Sequence, residues 1–237
     1  MFQDKDTQVP LAIAVLQLGN KLLQFGNREV QIRMANHLRK PRQVDFFHAA
    51  HRYLLDATSA VRTAVTEQAG RSVSASFDPM LTGTLPRIGV SRVRMTLPTV
   101  LIHFLQLWSE GHNYQMQDLL REQPDHRKHF NLIDDGAHCL FRGCWTFAPI
   151  LTTLFFHAPV TQLLIELTRD KQCLCAMGRK TFALLQACMA FLLEVVEGDN
   201  EATAKNKRLV AEQGAAINAL HQVLLSVWII SVSQFYL

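Results

Sequence analysis

Ten histidines and five cysteines supply most of the side chains in this 237-residue chain that could hold a metal or act as nucleophiles. His48 and His51 stand three residues apart beside Asp45, a helical spacing that would offer two imidazoles to one cation. The same spacing suits the solvated face of an amphipathic helix, and the surrounding segment reads that way. His126 and His129 sit among Asp125, Arg127 and Lys128 in a polar connection, which fits a surface loop. Cys139, Cys144, Cys173 and Cys175 amount to four thiols, but structural zinc sites favour closely paired cysteines in turns. Cys173 and Cys175 point to different sides of a helix, so these four are expected as small buried hydrophobes, and Cys188 too lies in apolar or helical surroundings. Irregular cysteine spacing and the lack of an Asn-x-Ser/Thr sequon fit a reducing compartment. G-x-G-x-x-G, the Walker loop, G-x-S-x-G and H-E-x-x-H are all missing. With no acid–base pair evident from spacing, no enzyme is expected.

The elements that must position any functional residue are helical. Hydrophobic residues make up 49% of the chain and charged residues 19%, enough apolar content to exclude wholesale disorder. Only 11 glycines and 8 prolines argue against a turn-rich sandwich or barrel. The net charge of +4 comes from scattered basic residues, so nucleic acid is not the implied partner. Leu11 to Phe25 reads as a helix interrupted at Gly26-Asn27, with a short helix following to about Arg39. Phe47, Ala50, Leu54, Ala57, Val61 and Ala64 advance by three and four residues along one face, between Pro41 and Gly70. Residues 70–96 lose the period and read as a long loop. After Pro98, Val100 to Trp108 form a helix that stops near Gly111, and Asn113 can cap the next, through Leu120. Further helices are expected at about 130–142, 147–168, 171–197 and 205–232. In the 171–197 segment Leu174, Met177, Phe182, Leu185, Met189, Leu192 and Val196 mark the expected buried stripe, and Asn206, Lys207, Arg208 and Glu212 a solvated face. The fold class is all-α, a stack of antiparallel helices or an irregular armadillo-like solenoid, since no fixed repeat is visible.

Two apolar stretches invite comparison with membrane spans. Cys144 to Phe156 is far short of the roughly 20 residues a bilayer requires. Ala215 to Leu237 is longer but carries Asn218, His221, Gln222 and Gln234, so buried helices are expected at both. No signal peptide is evident, because Met-Phe-Gln-Asp-Lys-Asp lacks a basic region before an apolar run.

The run Phe104-Leu-Gln-Leu-Trp-Ser-Glu-Gly-His-Asn-Tyr-Gln-Met-Gln-Asp-Leu-Leu-Arg-Glu-Gln123 carries a more specific signal. It resembles the signature of the domain associated with the homology region of inositol trisphosphate and ryanodine receptors. That pattern reads F-L-Q-L-L-C-E-x-H-N-x-x-x-Q-x-x-L-R-x-Q, and only Trp108 and Ser109 depart from its core. Gly26-Asn-Arg-Glu-Val-Gln31 is similar to the family's earlier G-N-x-x-V-Q, Phe46-Phe47 to the start of its next helix, and Phe130-Asn-Leu-Ile133 to a later asparagine-containing helix. The resemblance covers residues of about 20–200. It divides the chain into N-terminal helices (1–69), a variable insert (70–96), the signature helices (97–204) and an apolar C-terminal helix (205–237).

The resemblance implies a cytosolic helical domain of a tetrameric, ligand-gated calcium-release channel, on the cytosolic face of the endoplasmic reticulum. Two glutamates of that domain contribute to an activating calcium site, the first in the E-x-H-N motif, which is Glu110 here. The second lies in L-T-E-Y-x-Q-G-P-C, whose nearest counterpart is Leu192-Leu-Glu-Val-Val-Glu-Gly198. That alignment selects Glu194, with Glu197 as the alternative, and loses the motif's threonine, tyrosine, proline and cysteine. Calcium takes six to eight oxygens, so two carboxylates make a weak half-site. A further ligand, in the family, comes from near the C-terminus of the full receptor. The partners implied are therefore the pore and C-terminal parts of the channel, and the chain is expected as a soluble fragment without a membrane span. His112, Asn113, Gln117 and Arg121 are expected to cap helices and bond between them. A stand-alone helical scaffold without channel activity is the alternative reading.

Overall fold

The structure is a computed structural model that describes residues 5–40, 43–75, 92–123, 129–133, 159–168, 179–212, 221, 223 and 224. Eight helices span the described residues, which contain no strand. They are α1 (Lys5–Leu23), α2 (Arg28–Leu38), α3 (Val44–Ala75), α4 (Arg92–Ser109), α5 (Tyr114–Arg121), α6 (Pro159–Thr168), α7 (Arg179–Val196) and α8 (Glu201–Glu212). The all-α expectation holds. Cys139, Cys144, Cys173, Cys175, His126, Leu174, Met177, the 144–156 run and most of 215–237 lie outside the described residues. Within them, no helix is long and apolar enough to cross a membrane.

Helix α4 is the hub. It packs on α1, α3 and α7, and its contact with α7 is the most extensive in the described molecule. The reason is its composition: Met95, Leu97, Leu101, Ile102, Phe104, Leu105, Leu107 and Trp108 are buried, covering more than one side of the helix. Against α1 the fit is close because Gly19 has no side chain. A Cβ there would stand 2.5 Å from Cε2 of Phe104. Phe104, Trp108 and Phe46 then form an aromatic cluster, with centroids 5.0 Å (Phe104–Trp108) and 5.4 Å (Phe46–Trp108) apart.

The α3 stripe is buried as its spacing predicts, with Phe47, Ala50, Leu54, Ala57 and Val61 in the core and Ala64 beside it. The same helix is tied to α6 by Arg62, whose Nε and Nη2 reach Oε1 of the buried Glu166 at 2.9 and 2.8 Å.

Four expectations need correction. The 70–96 loop is too long at both ends, since α3 continues through Gly70 to Ala75 and α4 begins at Arg92, ahead of Pro98. Glycine costs a helix interior only about 1 kcal/mol, which the rest of a 32-residue helix overrides. Residues 129–133 are not helical. Gln123 holds this strap instead: its Oε1 accepts from the Phe130 N–H at 2.7 Å and its Nε2 donates to the Phe130 carbonyl at 3.0 Å. The buried stripe of α7 is rotated from the one expected: Leu184, Leu185, Cys188, Phe191, Leu192 and Val195 are inside, whereas Phe182 is half exposed. Finally, Asn206 is fully buried rather than solvated, while Lys207 and Arg208 are exposed as expected.

Candidate functional site

The C-terminal ends of α4 and α7 carry Glu110 and Glu194 respectively, and each end is held by a glutamine from another helix. Helix α4 stops at Ser109, and the chain turns through Gly111 and His112, both with positive φ (74° and 58°). Its final carbonyls have no partners within the helix. Gln31 supplies them: its buried Nε2 donates to the carbonyls of Leu107 at 2.9 Å and Glu110 at 3.0 Å. The Gln31 Oε1 in turn accepts from Nδ2 of Asn113 at 3.0 Å. Asn113 also caps α5, where its side chain accepts from the Met116 N–H.

The arrangement repeats one helix on. Gln117, fully buried, donates from Nε2 to the carbonyls of Glu194 at 2.9 Å and Glu197 at 3.2 Å. Its Oε1 accepts from the Thr203 hydroxyl at 2.9 Å. Two further carbonyls in this stretch are bonded, Val195 O by Nδ2 of Asn206 at 2.9 Å and Gly198 O, just past the helix, by Nζ of Lys207 at 2.8 Å. Gly198 has φ 116°, a conformation that strains any L side chain, and its neighbours include Thr203 and the His112 ring. The two halves share one device. Asn27 caps α2 and Gln31 follows four residues later; Asn113 caps α5 and Gln117 follows four residues later. In each case the glutamine fixes the backbone of one of the two glutamates.

Electrostatically the two ends oppose their own contents. A helix C-terminus carries the negative end of the macrodipole, which disfavours a carboxylate there. Burial raises the Glu194 carboxyl above the ordinary carboxylate range, the charges of Glu197 and then Glu110 add to the rise, and His112 opposes it. Oε2 of Glu110 is buried and has no hydrogen-bond partner among the described residues. The turn at Gly26 lies close by, since a Cβ there would stand 3.9 Å from the Glu110 carboxyl carbon. Among the described residues no three His, Cys, Asp or Glu gather around one point.

The raised carboxyl makes a testable statement about stability. A carboxylate whose folded pKa exceeds its unfolded one holds its proton longer in the native state, so stability falls as pH rises through the interval between the two. Glu194→Gln removes that term. In calcium-free buffer, the melting temperature of the wild-type protein relative to Glu194→Gln is expected to fall as pH is raised from about 4 to about 7. A flat difference would show that Glu194 is not held protonated above its usual range.

Of the other expected residues, Asn113 and Gln117 do cap and bond between helices. Arg121, among the described residues, pairs with Asp118 on its own helix and lies 3.7 Å from Glu122. His112 is exposed in the turn. Glu197 is exposed beyond the end of α7, so Glu194 is the less solvated of the two alternatives. His48 and His51 flank the Phe130 ring at 5.4 and 5.6 Å and are packing partners of the strap. Cys188 is a free, buried thiol whose pKa burial pushes well upward, which makes it an inert core residue. Gln31, Thr203 and Asn206 were not singled out by sequence for these roles. The available signal was the helical spacing of Ala202, Thr203, Asn206, Leu209 and Val210, which places the two polar residues within a buried stripe.

The described molecule is an all-α stack whose buried glutamines fix two helix ends, each bearing a carboxylate. The chain belongs to the RyR and IP3R Homology associated family, whose model matches residues 94–223, more than half of the sequence. That domain is found in ryanodine and inositol trisphosphate receptor channels, and the family is one of channel-associated domains and not of enzymes. Comparisons with curated proteins and with solved structures returned no match.

Proposed function

We propose that the chain is a cytosolic regulatory domain of an intracellular ligand-gated calcium-release channel at the endoplasmic reticulum. In this reading Glu110 and Glu194 are the protein's share of an activating Ca2+ site. The observation that carries it is the buried, unpartnered Oε2 of Glu110 in a region that also holds the Glu194 charge and two helix C-termini. Buried carboxylate oxygens ordinarily find a donor, and a cation satisfies this one while relieving the repulsion between the pair. Calcium fits better than a soft metal because the ligands are all oxygens. The remaining ligands come from water and from the channel's pore-proximal C-terminal region. An ion shared between two parts biases their relative position, and through that bias calcium couples to the gate.

With only two protein carboxylates, the isolated chain is expected to bind Ca2+ with a dissociation constant on the order of 10⁻⁴–10⁻³ M, the weak end for this ion. Isothermal calorimetry at neutral pH tests this with the wild-type chain and Glu110→Gln. The expected loss in the variant is about tenfold or more in affinity. Calcium uptake unchanged by Glu110→Gln would overturn the assignment.

A further inference from the structure

Helix α1 presents a second apolar face that nothing in the described molecule covers. Leu11, Val15, Leu18, Leu22 and, just past the helix end, Phe25 are 49–90% exposed. A neighbouring side of the same helix, about a third of a turn round, is occupied, with Leu23 buried, Leu16 packed on the core and Gly19 under Phe104. The exposed residues advance by 4, 3, 4 and 3 positions, the spacing of the a and d sites of a heptad. An apolar stripe that narrow is the seam of a helix pair, not the broad face of a core helix. No other helix gathers as many: the remaining exposed large apolar residues among the described ones are at most two to a helix.

We propose that this face of α1 is a docking surface for one amphipathic helix of about four turns with acidic flanks. The helical form of the partner follows from the 4-3-4-3 spacing, which lets knobs from a second helix enter between Val15, Leu18 and Leu22. The acidic flanks follow from charge. Between Leu11 and Phe25 the only charged residue is Lys21, at the g position beside the seam, and Arg28 follows the last seam residue. Both are exposed, and neither has an ion-pair partner among the described residues. Flanking charges of this kind choose the partner and its orientation. A second copy of the chain would bring the same lysine and arginine to the seam and, between Leu11 and Arg28, no acid to meet them. A lipid surface is also disfavoured, because interfacial helices carry several cations along the polar face and this one has only Lys5, next to Asp6, and Lys21.

Fluorescence anisotropy on the full chain decides it. The probe is a labelled three-heptad peptide with Leu at a and d and Glu at e and g; a matched peptide carries Lys at e and g. The Glu peptide is expected to bind at least tenfold more tightly than the Lys peptide. Val15→Glu combined with Leu22→Glu should abolish that binding without altering the circular dichroism, because both side chains are exposed. Lys21→Glu, a milder surface change, should remove most of the preference between the peptides, since it leaves Arg28 as the one cation beside the seam. Equal binding of both peptides, no binding of either, or a preference left undiminished by Lys21→Glu would overturn the proposal. So would dimerisation of the free chain through α1, or sedimentation of the chain with phosphatidylcholine–phosphatidylserine vesicles, if Val15→Glu with Leu22→Glu abolishes it.

Discussion

Trp108→Ala is expected to lower the unfolding free energy by about 3–5 kcal/mol, the range for truncating a buried aromatic. For a chain of this size that is a fall of roughly 10 °C or more in melting temperature. Trp108 is among the largest fully buried side chains, 1% exposed, and it joins three helices at once. Its ring meets Phe104 on its own helix and Phe46 on α3, while its Nε1–H points at the sulfur of Met34 on α2, 3.0 Å away. The family pattern carries leucine at this place, so the wider side chain is a local solution to the space among α2, α3 and α4. Trp108→Leu should therefore leave a cavity and cost more than its apolar character suggests. Trp108→Phe keeps most of the ring contacts and removes the N–H, for a loss of about 1 kcal/mol. Thermal melts of the three variants, ordered Ala, Leu, Phe from most to least damaging, check the account. Equal losses for Leu and Phe would show that volume at this position is not what matters.

How much of this was legible in the sequence depends on the kind of signal each feature leaves. The α3 stripe was readable because one-sided burial writes itself as a period of three and four. The stop of α4 was readable from Gly111 followed by Asn113, a breaker and a cap. Helix ends without such chemistry were not: α3 runs past Gly70 because the cost of one glycine is smaller than the gain from a long packed helix. The rotated stripe of α7 has a similar cause. Its segment is apolar on several sides, so periodicity alone could not choose which side α4 would cover. The strap at 129–133 was misread because its stability comes from the Gln123 side chain bonding to the Phe130 backbone. The roles of Gln31 and Gln117 were hidden for the same reason: each bonds to main-chain carbonyls, which every residue has. The Asn-x-x-x-Gln spacing was present in both motifs, yet only the fold shows that one glutamine reaches Glu110 and the other Glu194.

Gln117→Leu tests that device most directly, and its expected effect is twofold. Leucine keeps nearly the same volume but offers no hydrogen-bonding group. The carbonyls of Glu194 and Glu197 then lose their buried donor, and the Thr203 hydroxyl loses its acceptor. Some relief remains, since the Glu197 N–H lies 3.3 Å from Glu194 O and the Thr203 hydroxyl 3.3 Å from Glu197 O. The net cost is therefore about 2–3 kcal/mol, within the range for stranding a buried polar group. The second effect is on geometry. Without the clamp, the end of α7 is free to shift relative to α4, and the two carboxylates lose their fixed relation. Calcium affinity measured well below the melting temperature should drop by about tenfold if Glu110 and Glu194 share an ion. Leu54→Ala supplies the comparison. That residue is buried on α3 and takes no part in the network, and its truncation costs a similar or larger 2–5 kcal/mol. A stability loss in both variants with a calcium loss only in Gln117→Leu identifies the glutamine as a positioning residue. Equal calcium binding by the two would assign Gln117 to the scaffold alone.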